Sequence, residues 1–262
     1  MDLNLSGKQA LVCGASEGIG RAAAWALAEQ GATVTVLARR EPMLRELVAA
    51  LSRTHPDAPH AYLVADMSDR VALKQVLEAH VGKGPVHILV NNTAGPAGGP
   101  AHAATPENYL AVFEQHLVAN QTLVQAVLPG MKSAGWGRIV NVISTSVKEP
   151  IANLGVSNTI RGAVASWAKT LASELAPFGI TVNNVLPGYT RTQRLEQILK
   201  ERSSATGKSA ADIAQGMLAT VPAGRFAEAG EIAAAIAFLA SPAAGYINGI
   251  NLPVDGGRTR SL

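Results

Sequence analysis

The sequence is poor in cysteine, in aromatic residues and in charge of either sign. Cys13 is the single cysteine among 262 residues, which excludes an intramolecular disulfide framework and a cysteine-rich metal site. Charged residues make up 16% of the chain, aromatic residues 4%, and the net charge is +3. Because the Lys and Arg residues are also scattered, we expect no nucleic-acid partner. The six histidines are dispersed as well, so no metal site is expected.

Long apolar runs are also absent. The N-terminal segment MDLNLSGK lacks the basic and then apolar pattern of a signal peptide, and no apolar run is long enough to cross a bilayer. We therefore expect no membrane partner and a cytoplasmic location. The hydrophobic fraction of 48% is sufficient for a sizeable core.

Short apolar runs alternate with longer amphipathic stretches. Seven runs rich in Val, Ile and Leu predict strands at 8–14, 32–38, 60–66, 86–92, 137–144, 180–188 and 250–257. Amphipathic stretches predict helices at 20–31, 42–53, 69–82 and 160–179, with Gly31 and Gly179 at C-terminal caps. A repeated strand–helix–strand order implies parallel pairing through right-handed crossovers. We predict one α/β domain over 1–262, a doubly wound Rossmann fold whose seven-stranded parallel sheet has helices on both faces.

One segment, 190–225, interrupts the alternation. Its pattern is helical but polar, with SSATGKSAAD in the middle. An insertion between two strands at the carboxyl edge of such a sheet is where a lid over a ligand would lie. We therefore predict that 190–225 covers the substrate.

The first predicted strand runs directly into GASEGIG, residues 14–20, and a helix follows at once. Glycines at this point permit a tight turn and close approach of the backbone to a pyrophosphate at the helix N-terminus. The spacing is Gly-x3-Gly-x-Gly, and glycines are common in any strand-to-helix turn. Because this turn opens a series of such units, we interpret it as a dinucleotide site.

The second strand ends at Ala38-Arg39-Arg40, where an NAD site would place an acid for the ribose hydroxyls. A guanidinium here can stack on adenine and pair with a 2′-phosphate, so NADP is favoured over NAD. The alternative is two exposed arginines at a helix start, and Glu17 argues mildly against a phosphate. Asp66-Met67 would meet the adenine edge, and the segment 91–95 faces the glycine turn.

These features together resemble the short-chain dehydrogenase/reductase family over essentially the whole length. The matching segments are GASEGIG (14–20), LVNNTAG (89–95), GRIVNVIS (137–144), LPGYTRT (186–192), VPAGRFAEAGEIA (221–233) and VDGG (254–257). The similarity is greatest to 3-oxoacyl-acyl-carrier-protein reductases. It implies hydride transfer between NAD(P)H and a small-molecule carbonyl or alcohol, and a homotetramer.

The family's catalytic tetrad is Asn, Ser, Tyr and Lys, and this chain departs from it. Ser144 fits the family Ser, but the Tyr position is Ser157 and the Lys position four residues later is Arg161. The Asn position, thirteen residues before Pro129, is His116, with Asn120 one turn later. Thr93 also intrudes into the family's NNAG segment. The resemblance thus implies catalytic roles for Ser144, Ser157, Arg161 and His116.

The altered tetrad changes which group could donate a proton to the substrate oxygen or accept one from it. One neighbouring cation cannot lower the pKa of a serine hydroxyl to near neutral pH, and an arginine does not pass protons as a lysine can. Loss of general acid–base catalysis costs about 10²–10⁴-fold in rate. Three groups could substitute for the phenol: His116, Tyr189, or Ser157 with an ordered water. His116 and Tyr189 could equally be packing residues, and Arg191 and Arg194 could meet an acidic substrate or only solvent.

The same resemblance implies a set of cofactor-binding residues. They are Gly14, Ser16, Glu17, Gly18, Ile19, Gly20, Arg39, Arg40, Asp66, Met67, Asn92, Ala94, Gly95, Arg161, Pro187, Gly188 and Thr192. We expect an NADP(H)-dependent oxidoreductase. The alternatives are a catalytically silent NADP(H)-binding sensor or scaffold, and a non-redox enzyme. Arg161 also matches the related halohydrin dehalogenases, but those lack the glycine turn that this chain keeps.

Overall fold

A computed structural model describes residues 1–261. Nine helices alternate with strands along these residues. The helices are α1 Gly18–Glu29, α2 Glu41–Thr54, α3 Arg70–Val81, α4 Pro106–Phe113, α5 Ala119–Ala134, α6 Gly155–Leu175, α7 Gln193–Thr206, α8 Ala210–Leu218 and α9 Ala229–Ala240. The strands are β1 Gln9–Cys13, β2 Thr33–Ala38, β3 Ala61–Val64, β4 Ile88–Asn92, β5 Gly137–Val142, β6 Ile180–Pro187, β7 Thr190–Arg191, β8 Ala227–Glu228 and β9 Asn251–Val254.

Seven of these strands form one sheet in the order β3-β2-β1-β4-β5-β6-β9. All six pairings are parallel. Each of the seven predicted strand runs contains one of them, so the prediction of a doubly wound, seven-stranded parallel sheet is confirmed. The order of strands reverses between β1 and β4, and a ligand crevice is expected at the carboxyl ends of these two strands.

Two hydrophobic layers lie on opposite faces of the sheet. One includes Leu27 of α1, Leu44 of α2 and Ile232 of α9. The other includes Leu123 of α5 and Ala168 of α6. Covering on both faces explains why the central strands read as continuous apolar runs rather than as an alternating pattern.

Polar side chains nevertheless cross the sheet in a row. Asn91 donates its amide to Asn141 Oδ1, Asn141 donates to Asn184, and Asn184 donates to Asn251, each at 2.8 Å. The four residues occupy matching register positions on β4, β5, β6 and β9. Each buried amide therefore finds a partner on the next strand, which fixes the relative register of the strands that carry the site.

The two helix caps predicted from glycine are present. Gly31 and Gly179 follow α1 and the turn after α6, with φ of 94° and 71°. A side chain at these left-handed positions would be strained. Predicted helix 160–179 begins earlier than expected, at Gly155, and ends at Leu175 before a short 3₁₀ turn.

The 190–225 segment contains α7 and α8 and begins with β7, which pairs with β8. Its helices join the protein through a small apolar cluster of Leu195, Met217 and Phe226. This cluster and the pairing of β7 with β8 are therefore among the contacts that attach the segment to the rest of the protein. No helix of the described residues is long and apolar enough to cross a membrane.

Candidate active site

A cavity of about 1050 Å³ opens at the carboxyl ends of the strands, around the point where the strand order reverses. Its wall includes the turn after β1, the ends of β2 and β3, the loop after β4, Ser144 after β5 and the first turns of α6 and α7. This is the position at which doubly wound folds bind ligands. The volume suits a dinucleotide with room for a small molecule beside it.

The glycine turn is shaped by close packing. A Cβ on Gly14, whose φ is 60°, would lie 2.4 Å from the Asn92 carbonyl oxygen. A Cβ on Gly20 would lie 2.3 Å from the Gly14 carbonyl oxygen. Gly18, with φ of 56°, faces Thr192, whose Cγ2 would be 3.1 Å from an added Cβ. Any side chain here would displace the turn or fill the narrow space between α1 and the start of α7.

The N-terminus of α1 opens into the same cavity. Glu17 takes the N-cap position with extended backbone, and its side chain makes no capping hydrogen bond. The first backbone N–H groups of a helix lack internal acceptors and carry partial positive charge. Gly18 and Ile19 line the cavity at this point, so the residues present fit a pyrophosphate.

Two ion pairs lie at the far end of the cavity, beyond β2 and β3. Arg40 contacts both Glu17 Oε2 and Ser16 Oγ at 2.9 Å. Arg39 lies 3.6 Å from Asp66 Oδ2, and its side chain is 67% exposed. Hydrogen bonds from Ser68 lower the pKa of Asp66, and the Arg39 charge adds to that effect. The negative charge of Glu17 argued against a phosphate at this end of the cavity, and Arg40 therefore compensates that charge.

Ser144 follows β5 and begins a short 3₁₀ turn. Its Oγ accepts a hydrogen bond from the Ser146 backbone N–H at 3.1 Å. This bond does not use the hydroxyl hydrogen, which is available to a group in the cavity that Ser144 lines. Ser144 is thus oriented by its own turn to donate to an oxygen in the cavity.

Ser157 and Arg161 lie one turn apart near the start of α6, and both line the cavity. Arg161 is 7% exposed, and it donates to the Val142 carbonyl oxygen at 3.0 Å. Burial lowers the pKa of Arg161 to about 10, so the guanidinium is charged at neutral pH. The predicted partners Ser144, Ser157 and Arg161 therefore all line the same cavity.

His116 does not line the cavity. It is 1% exposed in a π-helical turn, Glu114–Val118, between α4 and α5. Its Nδ1 forms a short hydrogen bond with Thr93 Oγ1, while Nε2 has no hydrogen-bond partner in the described residues. Burial lowers the pKa of His116 to about 3, and the Arg161 charge adds to this shift. A neutral imidazole behind the wall does not fit direct proton donation to a substrate.

Asn120 lies one turn beyond His116 and is 4% exposed. Its Oδ1 likewise lacks a partner in residues 1–261. The π-helical turn before it is a form that occurs frequently at functional sites. Here it sets His116 against the loop after β4, where Thr93 stands.

The start of α7 is attached to the opposite wall. Arg194 donates to the Pro96 carbonyl oxygen at 2.9 Å, which joins α7 to the loop after β4. Tyr189 lines the cavity with its ring held between Phe226 at 6.2 Å and the Arg258 guanidinium at 4.7 Å. Tyr189 is therefore a packed part of the cavity wall.

The cavity gathers most of the predicted cofactor residues. Those that line it are Gly14, Ser16, Glu17, Gly18, Ile19, Arg39, Arg40, Asp66, Met67, Asn92, Ala94, Gly95, Arg161, Pro187, Gly188 and Thr192. Gly20 is buried behind the turn instead. Sequence reasoning assigned no role to Thr93, which partners His116. The available signal was that Thr93 and His116 are both departures from the family pattern.

The family model for enoyl-(acyl carrier protein) reductase matches residues 14–259. The chain belongs to the short-chain dehydrogenase/reductase family. It is 33% identical over 265 residues to the NADPH-dependent reductase BacG of Bacillus subtilis, covering 98% of this chain and all of BacG. It is 36% identical over 258 residues to the 3-oxoacyl-[acyl-carrier-protein] reductase FabG of Vibrio cholerae, covering 97% and 98% of the two chains.

Solved structures of the family have the same architecture. YwfH, an NADPH-dependent reductase involved in bacilysin biosynthesis, aligns with a TM-score of 0.93 at 31% identity, over 98% of this chain and all of that one. The L-sorbose reductase of Gluconobacter frateurii, complexed with NADPH and L-sorbose, aligns with a TM-score of 0.93 at 29% identity, over all of both chains. The family resemblance predicted from the sequence is confirmed.

Proposed function

We propose that the protein is an NADP(H)-dependent oxidoreductase that interconverts a small-molecule carbonyl and the corresponding alcohol. The observation that carries the proposal is one cavity lined by the glycine turn, by the two arginines after β2, and by Ser144 and Arg161. The relatives described as NADPH-dependent reductases support the choice of cofactor. The tetramer and the cytoplasmic location implied by the family are part of this proposal. Light scattering would test the tetramer by measuring the molar mass in solution.

Two sets of lining residues would hold different parts of the cofactor at the two ends of the cavity. Gly18 and Ile19 at the start of α1 would hold the pyrophosphate, and Arg39 and Arg40 would hold the 2′-phosphate. Arg161 has N–H groups beyond the one bound to Val142, and these can reach ribose hydroxyls. NADPH, when bound, supplies the hydride for reduction of the carbonyl.

Ser144 would stabilise the substrate oxygen during that step. As the carbon–oxygen π bond breaks, the oxygen becomes negative, and the Ser144 O–H can donate a hydrogen bond to it. A solvent water would then supply the proton to this oxygen and return to bulk as hydroxide, which buffer neutralises. This route needs no phenol, and it is slower than one with a tuned general acid.

Loss of NADPH absorbance with a panel of ketones tests the proposal. The wild-type protein should consume NADPH with at least one ketone, and Ser144→Ala should lower kcat by about 10²–10³-fold, as for loss of an oxyanion donor. An exposed-serine variant, Ser173→Ala, is the control. Binding of NADPH without any turnover would contradict the proposal and leave the catalytically silent sensor as the better description.

A further inference from the structure

The charged side chains that line the cavity do not balance. Four arginines line it, Arg39, Arg40, Arg161 and Arg194, together with three acids, Glu17, Asp66 and Glu201. Each acid lies within 4 Å of its own arginine: Glu17 with Arg40, Asp66 with Arg39 and Glu201 with Arg194. Arg161 is therefore the one arginine of the cavity lining that has no acidic partner in the described residues.

Arg161 is also the most deeply placed of the four. It is 7% exposed, and its described partner is the neutral Val142 carbonyl. Ser144 and Ser157, which line the cavity with Arg161, are neutral, and so is the His116 imidazole that interacts with its charge. A buried charge without a counter-ion is unfavourable, and the cost falls when an anion binds next to it.

The cofactor does not supply that anion at this position. Its phosphates would lie at the α1 N-terminus and beside Arg39 and Arg40, at the other end of the cavity, and ribose hydroxyls are neutral. Space beside Arg161 is also larger than a Tyr at position 157 would allow, because Ser157 lacks the ring. A substrate group can therefore occupy the place of the phenol.

We infer that Arg161 and Ser157 form a subsite for a carboxylate carried by the substrate, so that the protein acts on oxo acids or hydroxy acids. A guanidinium binds a carboxylate through two parallel hydrogen bonds, and one cation matches one negative charge. Ser144, which lines the same cavity, would then take the carbonyl oxygen of the same molecule. This inference rests on the proposed oxidoreductase function and specifies its substrate class.

The test compares acids with their uncharged esters on the NADP⁺-bound protein, where no hydride is available for the ketone. Pyruvate, acetoacetate and levulinate are titrated against their methyl esters, with melting temperature and intrinsic fluorescence as readouts. At least one acid should bind about 10- to 100-fold more tightly than its ester, the range of a charge-assisted hydrogen bond. Equal binding of every acid and its ester would overturn the inference.

Variants separate the subsite from a role in cofactor binding. Arg161→Met should abolish the preference for the acid, Arg161→Lys should retain part of it, and Arg53→Met, at an exposed cation of α2, should leave it intact. Should Arg161→Met weaken only NADPH binding and keep the acid-to-ester ratio, the inference is wrong. The wild-type titration decides the matter even where a variant fails to fold.

Three further outcomes distinguish related explanations. Chloride or inorganic phosphate competing as well as acetate would show a general anion site and overturn the substrate assignment. Reduction of neutral ketones without any acid preference would remove the subsite but keep the oxidoreductase. Tight binding of acids without NADPH consumption by any carbonyl would keep the subsite and remove the oxidoreductase.

Discussion

Thr93 Oγ1 is hydrogen-bonded to His116 Nδ1, 23 residues away along the chain. The sequence resemblance predicts that both residues depart from the family pattern, and the structure shows that they are partners. The hydroxyl satisfies one nitrogen of a fully buried ring and connects the loop after β4 with the π-helical turn before α5. The two departures therefore belong to one local arrangement behind the cavity wall.

This pairing predicts non-additive effects on stability. Thr93→Val keeps the shape but leaves His116 Nδ1 buried and unpaired, which should lower the free energy of unfolding by about 1–3 kcal/mol. Thr93→Val with His116→Leu removes both polar partners, so the combined loss should be smaller than the sum of the single losses by about 1 kcal/mol. Urea unfolding of the four proteins measures this coupling. Thr159→Val, at an exposed hydroxyl of α6, is the control, and strictly additive losses would contradict the pairing.

Burial of His116 also predicts a dependence of stability on pH. The pKa of its imidazole falls from 6.5 to about 3 on folding. Above the unfolded value both states are neutral. As the pH drops through 6.5, the unfolded chain takes up a proton that the folded chain excludes, so stability decreases by about 1.4 kcal/mol per pH unit until the folded pKa is approached.

Comparison with His116→Leu isolates this contribution from the other histidines. Between about pH 7.5 and about pH 5, wild type should lose about 1 to 2 kcal/mol more unfolding free energy than the variant. Denaturant titrations across that range provide the measurement, with exposed His102→Asn as a second reference protein. Parallel curves for wild type and His116→Leu would show that His116 titrates alike in both states.

The charged pairs beyond β2 predict the choice between NADPH and NADH. Arg39 is largely exposed, and its ion pair with Asp66 is long, at 3.6 Å. The side chain can therefore turn toward a phosphate at little cost in free energy. Arg39→Ala should raise the Kd of NADPH by about 10-fold or more and leave that of NADH nearly unchanged. Glu17→Gln should tighten NADPH binding, because it releases Arg40 from an ion pair of 2.9 Å.

Fluorescence titration with both cofactors measures these effects. Arg45→Ala is a suitable control, since Arg45 is exposed on α2 and bonded to Glu41. An equal loss of NADPH and NADH affinity in Arg39→Ala would mean that this residue contacts a part common to both.

The Arg194 hydrogen bond predicts how firmly segment 190–225, the predicted lid, is held in place. Its bond to the Pro96 carbonyl at 2.9 Å joins α7 to the loop after β4, and α7 otherwise presents a largely polar surface. Arg194→Met should increase amide hydrogen exchange in 193–206 by about threefold or more, because local opening loses a contact. Arg202→Met on the same helix is the matched control. Unchanged exchange in Arg194→Met would show that the apolar cluster alone holds the lid.

Much of the fold was predictable because its strands are buried on both faces. Apolar runs, glycine caps and a strand–helix order suffice to specify a parallel, doubly wound sheet. The asparagine row across β4, β5, β6 and β9 was not predictable, because polar residues inside apolar runs reveal no partner until the register is known. The β7–β8 pair, with two residues in each strand, is too short to produce a pattern.

The site was predictable to a different extent. Motif positions located Ser144, Ser157 and Arg161, since the family pattern fixes their spacing along β5 and α6. The contact between Thr93 and His116 depends on side-chain packing between distant segments, and so does the lack of an acidic partner for Arg161 among residues 1–261. Neither follows from spacing, and both bear on what the altered tetrad can bind.

Restoration of the missing phenol is the most direct experiment on the altered tetrad. Ser157 lines the cavity, so a larger side chain at this position would extend into open space rather than into the core. Ser157→Tyr combined with Arg161→Lys recreates the family pair, in which a neighbouring cation lowers the phenol pKa from about 10. Turnover of neutral ketones with NADPH should then rise by about 10²–10⁴-fold, the usual contribution of a general acid.

The matched control is Ser157→Phe with Arg161→Lys, which has the same bulk without the hydroxyl. Only the tyrosine variant should gain a limb in the pH–rate profile on the alkaline side, where a phenol that serves as the acid loses its proton. A phenylalanine variant as fast as the tyrosine variant would show that bulk rather than acidity limits the wild type. No gain in either would mean that the present residues already supply the proton without limiting turnover, and that Ser157 is not the site of a lost function.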